Sequence, residues 1–216
     1  MELVINTPEN LITALIDLYT AARNTRFPSR NVLRGRSHSV SSEFEDLFAN
    51  YLSNCMNDDH YFYVDQPISI FCPTPKIQYP DILILKDGIA SHLIDIKMDN
   101  GWNRHGLKDF SNAKNILMDE INGCDFKYNE VLDNTKVPKE AKFSNHVTYH
   151  IVFATSVNGS KNLEHDAKQL ETKNVKLYIL TDKTHPNHYG ANRIGIQEKI
   201  NIRKDEFSRL ISNLNN

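Results

Sequence analysis

The chain has little cysteine and no long apolar run. Its three cysteines, Cys55, Cys72 and Cys124, are widely spaced and form no CxxC pair. This pattern argues against a disulfide framework or a zinc site, so we expect reduced cysteines that serve packing. No apolar stretch approaches the length that spans a bilayer, and the acidic, polar start Met1–Thr7 is not typical of a signal peptide. We therefore expect a cytoplasmic protein with no membrane partner.

The chain is also poor in net charge and in glycine. It has eight glycines and contains neither a glycine-rich phosphate loop nor an internal repeat. The formal net charge of −2 argues against a wholly basic nucleic-acid binder. A local basic patch, or a carboxylate site that binds metal, could still attract phosphate. A hydrophobic content of 40% over 216 residues suits one substantial globular domain.

Positive charge is concentrated near the amino terminus. Five of the nine arginines lie within residues 23–36, a stretch that also contains Pro28, Ser29 and two asparagines. We call this stretch the Arg-rich arm, because its composition predicts irregular backbone. Its guanidinium groups could contact phosphates or a groove edge, although a solvated linker between helices is the alternative. The candidate nucleic-acid contacts are Arg30, Arg34 and Arg36 of this arm, together with Arg104, which lies outside the arm.

Two apolar runs carry charged residues where strands are predicted. The first run begins Pro80-Asp81, and the second contains Asp95-Ile96-Lys97. Carboxylates and an ammonium in otherwise apolar strand sequence are costly unless a cation or a reaction requires them. The pattern predicts a metal site with a lysine beside it.

The register of the predicted hairpin decides whether these residues meet. Lys86-Asp87-Gly88 separates the two runs and is typical of a turn between antiparallel strands. Side-chain alternation places Asp95 and Lys97 on one face, which we expect to open to solvent. A two-residue turn alone would direct Asp81 to the opposite face. A three-residue loop or a β-bulge would return it to the face of Asp95.

Pro80-Asp81 followed after thirteen residues by Asp95-Ile96-Lys97 resembles the motif of the PD-(D/E)XK nuclease superfamily, which includes type II restriction endonucleases. The resemblance implies an α/β fold with a central mixed sheet flanked by helices and an αβββαβ core. The order of predicted elements matches this core over roughly half of the chain. The predicted elements are a helix at Ser42–Leu52, strands at Tyr61–Ile68, Pro80–Leu85 and His92–Met98, a helix at Leu107–Ile121 and a strand at Val147–Ala154.

The helix before the motif supplies a further acid. Ser41-x-x-Phe44-Glu45 resembles a family pattern in which a glutamate contacts the metal or its water. Glu45 is therefore the predicted site residue, and Glu43 is the reserve. Both glutamates could instead be solvated acids that favour the start of a helix.

The resemblance implies a Mg²⁺-dependent DNA endonuclease, with Mn²⁺ able to substitute, in which Asp81, Asp95, Glu45 and the Ile96 carbonyl serve the metal and Lys97 serves catalysis. A type II restriction enzyme that cuts duplex DNA as a homodimer is the leading case. The alternatives are a structure-selective repair or Holliday-junction nuclease and an inactive nuclease fold that only binds nucleic acid.

We expect one domain over residues 1–216. Its predicted parts are an N-terminal helix with the Arg-rich arm (1–40), a catalytic core (41–156) and a C-terminal βα extension of the sheet (157–216). Within the core, Asp125–Asn145 is polar and predicts a long connection or an insertion.

Overall fold

The computed structural model describes residues 4–56, 59–99, 101, 106–159 and 162–215. The helices are α1 (Pro8–Ala22), α2 (Ser41–Cys55), α3 (Leu107–Ile121), α4 (Leu163–Leu170), α5 (Arg193–Gln197) and α6 (Lys204–Leu214). The strands are β1 (His60–Val64), β2 (Ile68–Phe71), β3 (Lys76–Gln78), β4 (Ile82–Lys86), β5 (Ile89–Lys97), β6 (Asp125–Leu132), β7 (Thr135–Phe153), β8 (Val175–Ile179), β9 (Thr181–Asp182) and β10 (Asn201–Ile202).

The main sheet is mixed and places the chain in the α/β class. Strands β1, β4 and β5 form an antiparallel meander, and β7 pairs with β5 in parallel. The second half of β7 also pairs with β8 in parallel, while its first half forms an antiparallel ladder with β6. Strands β2 and β3 extend the sheet beyond β6. No helix in the described ranges is both long enough and apolar enough to cross a membrane.

Helices cover both faces of this sheet. Residues of α1, α2 and α6 pack on the face that carries Ile94 and Ile96. Residues of α3 and α4 pack on the opposite face, which carries Leu93 and Ile151. The two faces follow from the alternation of side chains along β5, since successive residues point to opposite sides of a sheet.

The strand predicted at Tyr61–Ile68 is wrong as one element. The first strand ends at Val64, and Asp65 adopts a positive φ of 46°. The chain therefore turns, and β2 begins at Ile68 to pair with β3 and β6 instead of β4. A run of strand-forming residues does not by itself show where a strand changes partners.

Asp125–Asn145, expected to be a long connection or an insertion, is not a long connection. These residues form the β6–β7 ladder, closed by a turn at Asp133 and Asn134, whose φ angles are 47° and 61°. Positive φ at both central residues is the requirement of a type I′ hairpin turn, which aspartate and asparagine tolerate. The inward side chains of Phe126 and Tyr128 are buried, whereas the outward positions are polar. Because the outward residues are polar, the composition of the segment resembles that of a loop.

A disulfide joins Cys72 to Cys124, so the expectation of three reduced cysteines is wrong for this pair. Their Cα atoms lie 5.6 Å apart despite a sequence separation of 52 residues. The ladder between β2 and β6 brings them together, because Phe71 pairs with Asp125. Cys55 is the free cysteine.

Candidate active site

A two-residue turn and a β-bulge together set the register of the β4–β5 hairpin. Asp87 and Gly88 have φ angles of 51° and 74°, and Lys86 pairs with Ile89 across them. The pairing then shifts by one residue, which leaves Ser91 in β5 as the extra residue. A bulge of this kind reverses the face on which every later residue of the strand lies.

Because of this bulge, the two motif carboxylates lie on the same face. Ile82 pairs with Ile94, and the preceding Asp81 therefore lies across from Asp95. The structure uses the bulge, not the three-residue loop, to bring these residues together.

Asp81 is held by the backbone of the neighbouring strand. Its Oδ2 accepts a hydrogen bond from the backbone N–H of Ile96 at 2.5 Å. Burial, and then the negative charge of Asp95, raise the pKa of Asp81 to about 7; Glu45 adds to this effect. The hydrogen bond from Ile96 opposes the increase, since it stabilises the carboxylate. Asp81 thus changes its charge near neutral pH.

Asp95 is buried, with 8% of its surface exposed. Its Oδ1 contacts the Lys97 ammonium, and its Oδ2 accepts a hydrogen bond from the Tyr149 hydroxyl at 3.1 Å. The expectation that this face of β5 opens to solvent is wrong for Asp95, because β7 and α3 cover it. A buried carboxylate with two donors is held in one orientation.

Lys114 of α3 is a second lysine at the site, and sequence reasoning missed it. Its Nζ lies 4.6 Å from the centroid of the Tyr149 ring and 5.2 Å from that of Phe110. It also donates a hydrogen bond to Gln78 Oε1 at 3.3 Å. Burial lowers the pKa of Lys114, while the charges of Asp95 and Asp81 act in the opposite direction.

A pattern in the sequence could have identified Lys114. Phe110, Leu117, Met118 and Ile121 form one apolar stripe of α3 at helical spacing, and Lys114 lies within it. A lysine on the apolar side of a helix is unusual enough to indicate a partner. No comparable pattern distinguishes Tyr149, because its contact with Asp95 depends on the register between β5 and β7.

Glu45 lies on α2 near these groups. Burial, followed by the charges of Asp65 and Asp46, raises its pKa, and Lys97 and Asp95 also act on it. Glu43, in contrast, forms an ion pair with Arg26 at 3.3 Å. Of the two glutamates, Glu45 is the one that interacts electrostatically with the Asp95 and Lys97 pair.

The candidate nucleic-acid contacts lie on an exposed segment. Residues 23–40 contain neither helix nor strand, and Arg30, Arg34 and Arg36 are exposed and have no ion pair among the described residues. The Arg-rich arm reaches α2 through the bond between Arg26 and Glu43, two residues from Glu45. Arg104 lies outside the described residues.

Asp81, Asp95 and the Ile96 carbonyl provide hard oxygen atoms of the type that Mg²⁺ prefers. Burial and the adjacent charge of Asp95 raise the pKa of Asp81, so a divalent cation would stabilise the two ionised carboxylates, and the donor set fits such an ion. Within the described part of the chain, no group of three or more His, Cys, Asp or Glu residues is arranged to hold a metal ion. Glu45 therefore does not complete a three-carboxylate cluster, and water or substrate oxygen would supply the remaining ligands.

Tyr149→Phe is expected to destabilise the protein by about 1–3 kcal/mol, because it leaves a buried carboxylate oxygen of Asp95 without its donor. Urea unfolding measures this effect. Tyr61→Phe is the matched control, since it removes the same atom from a tyrosine that is 65% exposed. Equal stability of the two variants would contradict the assigned role of Tyr149 in holding Asp95.

The chain matches no family model, no curated protein and no solved structure. The function is therefore inferred from the chemistry of the site itself.

Proposed function

We propose that this protein is a Mg²⁺-dependent DNA endonuclease of the PD-(D/E)XK type. The observation that carries the proposal is the placement of Asp81 beside Asp95, with Lys97 in contact with Asp95 and the Ile96 backbone in contact with Asp81. Two carboxylates and an ammonium at adjacent strand ends are suited to hydrolysis of a phosphodiester bond.

The order of elements supports a restriction-endonuclease-like core. Helix α2 is followed by β1, β4 and β5, then by α3 and β7, which agrees with the αβββαβ order. Strands β2 and β3 are additions between the first and second core strands, and β6 is an addition before the last. The cofactor, the activity and this core are parts of one proposal.

When bound, Mg²⁺ supplies Lewis-acid polarisation of the phosphoryl group. Asp81, Asp95 and the Ile96 carbonyl would hold it. Lys97 would orient the attacking water and donate a hydrogen bond to the oxygen on which negative charge develops. Its contact with Asp95 keeps the ammonium close to the reacting group before substrate binds.

Lys114 and Glu45 would act around this centre. The Lys114 ammonium is half-buried beside Asp95, where low solvent exposure strengthens its attraction for a phosphate. Glu45, with its raised pKa, would accept a hydrogen bond from a water at the edge of the site. Both roles require that Lys114 and Glu45 lie close to Asp95 in the fold.

Duplex DNA is the proposed substrate. The exposed Arg30, Arg34 and Arg36 provide charge-assisted donors for phosphates, and the Arg-rich arm is attached to the helix that carries Glu45. One site per chain would cut both strands if two copies associate, which supports a homodimer on a palindromic target. We propose type II restriction as the leading case.

Incubation of plasmid and phage DNA with the protein, in Mg²⁺ or in EDTA, tests this function. Discrete fragments that form only with Mg²⁺ are the expected result. A smear would indicate a nonspecific nuclease, and cleavage confined to a four-way junction would indicate a resolvase. An absence of cleavage of all these substrates in Mg²⁺ and Mn²⁺ would overturn the enzyme proposal and favour a nucleic-acid binder.

A further inference from the structure

A polar cavity of about 560 Å³ lies at the other end of the sheet. The end of β4, the start of β5, the start of β8 and the C-terminal end of α6 surround it. Lys86 lines this cavity at the end of β4, whereas Asp81 precedes the start of the same strand. Five residues of strand separate the two positions by about 16 Å, so the cavity is not part of the candidate active site.

The lining is rich in groups that donate hydrogen bonds. It includes two lysines, imidazoles and hydroxyls, and no carboxylate side chain among the described residues that line it. The donors that matter most are Lys86, Lys176, His92, His146, Ser144 and Thr148. This composition favours a ligand made of acceptor atoms with negative charge.

The two lysines differ in their partners. Lys86 forms an ion pair with Asp59 at 2.6 Å, and Asp59 also contacts His60 at 3.0 Å. Lys176 is partly buried and has no ion pair within the described part of the chain. Its ammonium is therefore a positive charge at the cavity wall that no carboxylate of the described residues pairs with.

A buried chain of hydrogen bonds leads from Asn213 to His92. The Asn213 amide donates to the Tyr178 hydroxyl at 2.9 Å, and that hydroxyl lies 3.1 Å from His150 Nδ1. His150 Nε2 lies 3.1 Å from His92 Nδ1. Burial lowers the pKa of His92 to about 4 and that of His150 well below its usual value, so both rings are neutral at pH 7.

The Asn213 amide is the donor at one end of this chain. The Tyr178 hydroxyl has one hydrogen to donate, and when it donates to His150 Nδ1, His150 donates from Nε2 to His92 Nδ1 and His92 carries its hydrogen on Nε2. In this arrangement His92 offers an N–H donor on a ring that lines the cavity.

We propose that this cavity binds a phosphate-bearing anion no larger than a nucleotide. The volume lies within the range of small-molecule sites, and the lining offers an ammonium, an imidazole N–H and hydroxyl groups to phosphate oxygens. The site is independent of the proposed nuclease chemistry, since none of Asp81, Asp95 and Lys97 lines it.

Isothermal titration with inorganic phosphate and with adenosine monophosphate, both in EDTA, tests the proposal. We expect both Lys176→Ala and Lys86→Ala to weaken binding, Lys176→Ala by roughly tenfold or more, as for loss of a charged hydrogen bond. Lys173→Ala is the matched control on the preceding exposed turn, where Lys173 pairs with Asp119. This control should bind the probes as the wild type does.

Comparison of the two probes shows whether the cavity recognises a nucleotide or a phosphate group alone. Tighter binding of adenosine monophosphate than of inorganic phosphate would identify a nucleotide site, and equal binding would identify a site for the phosphate group alone. The proposal is overturned if the wild type binds neither probe, if Lys176→Ala binds as the wild type does, or if Lys173→Ala weakens binding as much as Lys176→Ala does.

Discussion

Asp81→Asn is expected to abolish Mg²⁺-dependent DNA cleavage and, in the absence of metal, to stabilise the protein above pH 7. The first effect follows because asparagine supplies one neutral oxygen where the proposed ion needs an anionic ligand. We expect the rate to fall by roughly a hundredfold or more, as for loss of other groups that stabilise transition-state charge. Cleavage of plasmid DNA at saturating Mg²⁺ measures it.

The second effect follows from the raised pKa of Asp81. The pKa of this carboxyl is about 7 in the folded chain, against 3.8 for an unperturbed aspartate. Ionised Asp81 therefore disfavours the folded state, and this penalty is absent below about pH 4, grows as the pH rises and is complete above about pH 7. After a discount for partial exposure, we expect the variant to have a free energy of unfolding about 1–3 kcal/mol higher than the wild type at pH 8. At pH 4 the two should be almost equal.

Urea unfolding in EDTA at the two pH values measures this difference. Asp125→Asn is the control, because Asp125 is exposed and has no ion pair among the described residues. Equal pH dependence of stability in the wild type and Asp81→Asn would contradict the raised pKa of Asp81 in the folded chain. Undiminished cleavage by the variant would contradict the proposed metal site.

Lys97→Ala is expected to leave DNA affinity nearly unchanged and to reduce cleavage by roughly a hundredfold or more. The Lys97 ammonium contacts Asp95 and is assigned to the charge that develops in the transition state. Arg34→Ala and Arg36→Ala should act in the opposite way. They should weaken binding and reduce the slope of log affinity against log salt by about one for each phosphate that the arm no longer neutralises.

Binding in EDTA and single-turnover cleavage in Mg²⁺ separate the two effects. Lys173→Ala serves as the control for removal of an exposed positive charge far from the site. Wild-type cleavage by Lys97→Ala at saturating Mg²⁺ and DNA would refute the catalytic role of Lys97. An unchanged salt slope in both arginine variants would refute the role of the Arg-rich arm in DNA binding.

Local sequence was sufficient for the elements with strong periodicity. The bounds predicted for α3 agree with the structure, and the predicted helix at Ser42–Leu52 lies within α2. The expected N-terminal helix is present as α1, and the Thr7 hydroxyl caps it by accepting a hydrogen bond from the Asn10 backbone at 3.2 Å. Apolar spacing and capping residues act within a few positions along the chain, so they are visible without the fold.

Sequence reasoning failed where distant strands meet. The β6–β7 hairpin has polar outward residues, which predict a connection or an insertion and not a hairpin, and the Cys72–Cys124 disulfide depends on the pairing of β2 with β6. Neither partner strand can be identified from local composition, since a strand is stabilised by the neighbours it packs against.

The sequence by itself determined the chemical groups of the candidate site, namely Asp81, Asp95, Lys97 and Glu45, and the strand and helix on which most of them lie. Only the tertiary structure decided that Asp81, Asp95 and Lys97 lie together. The bulge at Ser91 turns Asp81 toward Asp95, and the parallel register of β7 on β5 brings Tyr149 to the buried carboxylate. The physical reason is that a one-residue shift in strand pairing reverses the face of every side chain, and the pairing is fixed by packing across the whole sheet.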